Sequence, residues 1–592
     1  MRPSELVFYR LPIGWRWLVE SVWKLEHAFE RAKADGKAED DTRIRIFFVL
    51  ALFAAGFFTL ALGATKCAIF SDADRSEVAA APPSGSRADL VDRQGNLLAV
   101  DLTHYGLYVD SHEIWDTNET RRVLGAALPT LAPGRLDHAL NADKREYLMG
   151  GLTPDEKARL QDLGLPGVSF EEEERRVYPL GPTAAHLIGF ADKGGAGLSG
   201  AEHALDGDIR ALAGKSTPLA LSMDLRVQAV LDDELQKAAV KFGVPDAVGI
   251  VTNVRTGEVL ALSSWPGFDP NNPGQASNYN LVNRAGASVY EPGSVFKVFT
   301  MAMGLDSGVA TMRSTFNVDT LQLGNRTIHD FHVVHGALTL PEVFVHSSNI
   351  GTAKLALQAG APTLTRYFKA FGLFAPAKIE LAESAHPIVP KTWGDGTVAS
   401  ASFGQSISVS PLNLAQGIGA ILNGGDMVPL TIRKLDPGKM PSGVRVISET
   451  TSRDMLDLMR LNVTAKEGSG GKADVPGLSV GGKTGTAQKV IDGRYSKDKV
   501  IASFAAVFPT DGPIYTDRYL VLIMLDDPKR LPETYGFATA GWNAAPAAGK
   551  VIDRIAPFLG VKRSAPTLAE AVKPAAEVKP ADDETTTGDL TQ

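Results

Sequence analysis

Cysteine is almost missing from this chain. Cys67 is the single one in 592 residues, which excludes an intrachain disulfide framework. Lys66 stands before it, where a lipid-anchor signal wants a small residue. An excess of positive charge is missing too. The 60 Lys and Arg are outnumbered by 68 Asp and Glu, for a net charge of −8, so the chain carries no nucleic-acid signature. Metal-ligand clusters are as scarce. His329, His332 and His335 share a loop-like stretch whose only carboxylate is Asp330, with no cysteine near. That donor set gives no metal site, and no cofactor is expected.

Charge itself is absent from Ile46 to Ala64, a run of 19 residues. At about 1.5 Å per residue a helix of that length spans close to 30 Å, roughly one bilayer core. Arg31, Lys33, Lys37, Arg43 and Arg45 precede it within twenty residues; only Lys66 and Arg75 follow in the equivalent window. The positive-inside rule puts the N-terminus in the cytoplasm and the rest of the chain outside it. The 45 residues before the run exclude a cleaved signal peptide. Within them Trp15, Leu18, Val22, Leu25 and Phe29 recur at steps of three and four, the stripe of an amphipathic helix suited to the membrane face or a partner helix.

What is present is a set of three short motifs: Ser294-Val295-Phe296-Lys297, Ser347-Ser348-Asn349 and Lys483-Thr484-Gly485-Thr486. The intervals between them are 53 residues (347 − 294) and 136 residues (483 − 347). S-x-x-K alone is weak, since Ser21 to Lys24, Ser469 to Lys472 and Ser496 to Lys499 also fit; S-x-N and K-[ST]-G each occur once. In this order the three form a serine acyl-transfer pattern. Pro292 and Gly293 suit an entry turn, so Ser294 opens an apolar helix and Lys297 shares its face at i+3. A serine hydroxyl needs a base, and a lysine serves only when burial and a second cation favour its neutral form. Lys483 is the candidate second cation. Ser347 and Asn349 alternate, so in an extended segment both point one way. Lys483 to Thr486 reads as an edge strand on which Gly485 admits a close ligand and Thr484 and Thr486 offer hydroxyls to a carboxylate.

Outside the motifs, Ala79 to Ser86 reads as a linker, and a mixed, charged region follows. Glu171 to Glu174 with Arg175-Arg176 reads as a solvated charge run. Val248 to Val254 and Val259 to Trp265 flank a hairpin signal, Arg255-Thr256-Gly257-Glu258; Val500 to Phe508 and Tyr519 to Leu525 are later strands. Ser410-Pro411 opens a helix, and Ala545 to Leu559 reads as the closing one. Strands at both ends with helices between predict an α+β domain. Five segments are expected: a cytoplasmic segment 1–45, a transmembrane helix 46–64, a pedestal 65–215, a catalytic domain 216–562 and a disordered tail 563–592, rich in Ala, Pro, Glu, Lys and Thr.

The constellation resembles class B penicillin-binding proteins, and within them the FtsI-type division transpeptidases. Arg87 to Gly95 is similar to the family's segment after the anchor, with Ala88 and Leu90 in place of its Gly and Ile. Arg176-Val177-Tyr178-Pro179, Ala184 to Phe190, Gly197 and Gly200-Ala201-Glu202 resemble its pedestal motifs. Tyr290 to Ser294, Ser402-Phe403-Gly404-Gln405, Ser410-Pro411-Leu412 and Gly541 to Pro546 resemble segments of its catalytic domain. The resemblance implies a penicillin-recognising serine transpeptidase fold, an antiparallel sheet with helices, on an elongated pedestal. It implies that Ser294 is acylated by a peptidoglycan stem peptide, with Lys297 as base. Ser347 and Asn349 would handle protons, and Lys483, Thr484, Gly485 and Thr486 would hold the carboxylate. β-Lactams would acylate Ser294 instead. It also implies an inner-membrane protein with its catalytic domain in the periplasm at the septum, beside a glycan polymerase of the FtsW type and other divisome proteins. The rivals are an elongation-type class B transpeptidase and a non-enzymatic divisome scaffold.

Overall fold

The computed structural model describes residues 86–491 and 493–564, together with 52–61 and positions 23, 24, 27, 31 and 49. Residues 1–81 and 82–592 form separate units. In the first, residues 52–61 are helical, with Leu52, Phe53, Phe57, Phe58 and Leu60 exposed. No described helix is long and apolar enough to cross a membrane. The remainder of the expected span 46–64, the stripe from Trp15 to Phe29 and the tail from 565 lie outside the described residues.

In the second unit the chain first builds a sheet from β1 (Leu90–Val91), β2 (Leu97–Asp110), β3 (Arg145–Leu152), β4 (Val168–Val177) and β5 (Leu219–Ala220). The long strand β2 pairs antiparallel with both β3 and β4, and β1 pairs parallel with β5. The Arg87, Arg176 and Glu202 segments, 26 to 115 residues apart in the chain, converge here. Glu202 is fully buried; its Oε2 accepts from Arg87 Nε at 2.8 Å and its Oε1 from Arg176 Nε at 2.7 Å. Arg176 also donates to Asp101 Oδ1 at 3.1 Å, and Asp101 Oδ2 receives the Arg87 backbone N–H at 2.6 Å. Arg176 is thus no member of a solvated charge run. It lies at the end of β4, where the strand turns inward, and its charge is neutralised there.

The second sheet holds the site. Its order is β8 (Gly481–Ile491), β9 (Arg494–Phe508), β10 (Tyr519–Asp526), β6 (Asp246–Asn253) and β7 (Val259–Trp265), antiparallel throughout. Its central strand β10 reads as a nearly unbroken apolar run because helices cover both faces. On β10, Leu520, Leu522 and Met524 join one apolar cluster, and Tyr519, Val521, Ile523 and Leu525 join the other. The first cluster contains side chains of α2 (Lys297–Asp306), α3 (Asn349–Ala370) and α4 (Pro411–Leu422). The second contains those of α1 (Leu225–Phe242) and α6 (Ala544–Ile555). Caps explain the boundaries. Asp224 accepts from Arg226 N at the start of α1, Gly243 takes the left-handed position at its end, and Ser410 and Asn413 form a capping box with Pro411 at the first turn of α4. The expected α+β architecture and hairpin are found, with β9 beginning six residues earlier than its apolar run.

Because Glu202 is the fully buried carboxylate shared by Arg87 and Arg176, Glu202→Gln should leave the two guanidinium groups with only the less buried Asp206 and Asp101. The expected loss is roughly 3–5 kcal/mol, read as a lower urea midpoint of the full-length protein in detergent. A change below about 1 kcal/mol would show that water reaches the network.

Candidate active site

Ser294 lies in a 3-10 turn, Gly293–Phe296, that runs directly into α2. Val295, Phe296, Val298, Phe299, Met301 and Ala302 are all fully buried, so the helix is apolar all round and central rather than amphipathic. Two neighbours clamp the turn. Gly293 N donates to Gly404 O at 3.1 Å, and a Cβ on Gly404, whose φ is 81°, would stand 2.2 Å from Gly293 O. On the other side a Cβ on Gly485 would stand 2.6 Å from Pro292 O. Glycine is required at both positions by the closeness of this backbone, which fixes Ser294 against the edge strand β8.

Lys297 and Lys483 are both fully buried. They meet at one atom: Ser347 Oγ receives Lys297 Nζ at 3.1 Å and Lys483 Nζ at 3.0 Å. Lys297 also donates to the Ser347 carbonyl, and Lys483 to the Thr484 carbonyl at 3.3 Å. Burial holds Lys297 well below the usual ammonium range, and the neighbouring charge of Lys483 lowers it further; Asp330 acts in the opposite sense. Burial alone pushes Lys483 down to about 7. Two ammonium groups so close and so dry do not both stay charged, and the arrangement favours neutral Lys297 beside cationic Lys483. Among the described residues no hydrogen bond joins Lys297 to Ser294; its donors go to Ser347.

The S-x-N segment is not extended. Helix Leu340–Val345 ends at His346, and Ser347 takes the left-handed position at φ 56°, with its N–H on Phe344 O at 3.2 Å. Glycine ordinarily fills that position, and a serine there costs about 1–2 kcal/mol. Ser348 then caps α3: its Oγ accepts from Gly351 N at 3.0 Å and donates to Asp330 Oδ2 at 2.6 Å. Asp330 Oδ1 takes the N–H groups of Asn349 and Ile350. Asn349 is therefore the first residue of α3, and its side-chain amide donates to His329 O at 2.9 Å instead of reaching the lysines. Two tight turns in succession replace the expected strand and separate Ser347 from Asn349. Among the described residues no group of His, Cys, Asp and Glu could hold a metal; the carboxylate in the histidine stretch serves as a helix cap.

Lys483, Thr484, Gly485 and Thr486 all lie on β8, whose only strand partner among the described residues is β9. Thr486 Oγ1 accepts from Ala540 N at 3.2 Å. Sequence reading missed Asp330 as a partner of the site, and nothing local reveals it, since it acts from 18 residues upstream. It also missed Glu291, which accepts from Ser406 N at 2.8 Å and Tyr495 Oη at 3.2 Å and so ties the Ser294 turn to the β8–β9 hairpin.

A family model for the penicillin binding protein transpeptidase domain matches residues 247–551, and one for the penicillin-binding protein dimerisation domain matches 82–216. The chain belongs to the penicillin-binding protein transpeptidase family. It is 58% identical over 569 residues to the "Probable peptidoglycan D,D-transpeptidase FtsI" of Caulobacter vibrioides, covering 95% of this chain and 97% of that one. It is 31% identical over 520 residues to the peptidoglycan D,D-transpeptidase FtsI of Escherichia coli strain K12, covering 82% and 86%. The crystal structure of penicillin binding protein 3 from Mycobacterium tuberculosis, complexed with aztreonam, matches with a TM-score of 0.63 at 26% identity, covering 82% of this chain and 98% of that one. This penicillin-binding protein joins its three motifs at one atom, Ser347 Oγ, where Lys297 and Lys483 meet.

The charges around Lys297 make a signed test. Lys483→Gln removes a like charge, so Lys297 should hold its proton to higher pH and the acid limb of the acylation profile should move up. Asp330→Asn removes an opposing charge, so the limb should move down. Stopped-flow acylation by a fluorescent penicillin across pH 5 to 9 reads both, and shifts of the same sign would contradict the electrostatic account.

Proposed function

We propose that this chain is a peptidoglycan D,D-transpeptidase that cross-links stem peptides during septal wall synthesis and is acylated by β-lactams. The observation that carries the reading is Ser347 Oγ held by two buried lysines, one of them three residues from Ser294. Ser294 is the nucleophile. Neutral Lys297 takes its proton as Oγ bonds the penultimate D-Ala carbonyl carbon. Backbone N–H groups of Ser294 and Thr486 hold the oxyanion. The C–N bond to the terminal D-Ala then breaks, and the proton passes from Lys297 through Ser347 to the leaving amine. Lys483, Thr484 and Thr486 hold that residue's carboxylate, Gly485 leaves room for it, and Asn349 steadies the turn that carries Ser347. An amine of a neighbouring strand attacks the acyl-enzyme, loses its proton by the reverse route and frees Ser294. In a β-lactam the broken amide stays tethered, so the acyl-enzyme persists.

The division reading rests on similarity to relatives named FtsI, which favours it over an elongation enzyme; the buried lysine pair opposes a non-enzymatic scaffold. The same reading includes residues 1–45 in the cytoplasm and 46–64 as a single anchor in the inner membrane. It places the pedestal 65–215 and the catalytic domain 216–562 in the periplasm, followed by the tail 563–592. Support for the anchor is its 19 uncharged residues and the Lys/Arg asymmetry around them. That segment is the natural contact for a glycan polymerase of the FtsW type and other divisome proteins.

Ser294→Ala should abolish covalent penicillin labelling with little change in stability, and mass spectrometry of the native adduct should place it on the Ser294 peptide. Lys297→Arg keeps a long basic side chain but cannot deprotonate at working pH, so acylation should fall by orders of magnitude. Labelling of either variant near the native rate would overturn its assignment. Depletion of the protein should give filaments; round, swollen cells would indicate the elongation role.

A further inference from the structure

A second S-x-x-K tetrad, Ser469 to Lys472, sits against β8. Ser469 Oγ lies 2.5 Å from Thr484 Oγ1 and donates to Asn462 Oδ1 at 3.3 Å. Asn462, on α5 (Glu449–Thr464), is fully buried, and its Nδ2 donates to Gly482 O at 2.8 Å. That bond leaves Oδ1, which can only accept, facing Ser469. At the other end of the tetrad Lys472 Nζ lies 4.0 Å over the Trp542 ring, and nearby Ala540 N donates to Thr486 Oγ1. Both hydroxyls of the K-T-G-T strand are thus held from behind, but by different means.

Counting hydrogens separates the two. Thr486 receives a fixed backbone N–H, so its own hydrogen is always free to point at a ligand. Ser469 has one hydrogen and two oxygen neighbours. When it donates to Asn462, Thr484 must donate to Ser469 and has nothing left for an anion. When it donates to Thr484, the Thr484 hydrogen is released toward the groove. Ser469 therefore sets whether Thr484 offers a donor or only a lone pair.

We propose that Ser469 is a positioning residue that, through Thr484, restrains the site's preference for a substrate with a free terminal carboxylate over one whose carboxyl is blocked. This rests on the reading of Thr484 as a carboxylate-binding residue given above. Arrival of the anion reverses the chain: Thr484 turns its hydrogen to the carboxylate, and Ser469 turns its own from Asn462 to Thr484. No atom moves beyond two hydroxyl rotations. The buried amide of Asn462 holds the resting direction.

The test compares an N-benzoyl-D-alanyl thioglycolate, which ends in a carboxylate, with its methyl ester on the purified full-length protein. In Ser469→Ala the ratio of kcat/KM for acid over ester should rise about fivefold, because the Thr484 hydrogen is no longer held by the Ser469–Asn462 chain and one net hydrogen bond need not be broken. Ser469→Thr, which restores the hydroxyl, should keep the ratio within about twofold of native. An unchanged ratio in Ser469→Ala overturns the proposal. An equal fall on both substrates also overturns it, because a merely loosened strand would not distinguish them. A rise in Ser469→Thr matching that in Ser469→Ala counts against the hydroxyl in the same way. A native protein that turns over neither thioester refutes the transpeptidase reading itself.

Discussion

Two fully buried lysines share one hydroxyl, and the rest of the catalytic domain is arranged around that constraint. Neither lysine has a carboxylate beside it; Asp330 acts on Lys297 from the far side of the Ser347 turn. Such a pair is held only if the elements carrying it are rigid, since every degree of freedom would let a lysine swing out and regain hydration. Lys297 is pinned by an apolar helix at the domain's centre, Lys483 by a sheet buried on both faces, and Ser347 by a left-handed turn between two helices. The cost of the pair is met by packing elsewhere, as expected where a site needs a titratable group moved far from its ordinary range.

The same constraint explains why glycine and small residues gather next to Ser294. Bringing a helix start within reach of a strand edge demands that backbone touch backbone. Gly404 and Gly485 make those contacts from opposite sides. The half-buried Glu291 carboxylate, held above its usual range by desolvation, ties the same turn to Ser406 and Tyr495. The Ser294 turn is thus fixed by three separate stretches of chain.

Much of this was legible in the amino-acid order. The three motifs, the edge strand, the hairpin around Gly257 and the caps of α4 are local signals, and local chemistry decides them. The pedestal residues Arg87, Arg176 and Glu202 were visible as motif positions, but their union was not, because a buried ion network is a property of three distant segments meeting. The S-x-N segment misled for a related reason. Alternation suits a strand, but helices on both sides of Ser347 leave room only for a single left-handed residue, so Asn349 turned to the His329 carbonyl. Asp330 read as a stray carboxylate among histidines until the fold brought it to the start of α3.

The order of strands in the catalytic sheet also bears on how the protein comes into being. β6 lies between β7, its hairpin neighbour, and β10, whose Tyr519 pairs with Asn253 across 266 residues (519 − 253). A chain still emerging can form the hairpin, but one edge of β6 stays open until nearly the whole domain has been made. Closing so long a loop is slow, and β8, with its lysine, is joined to β6 only through β9 and β10. The place where Lys483 meets Ser347 is therefore complete only once the strand that ends at Asp526 has taken its position in the middle of the sheet.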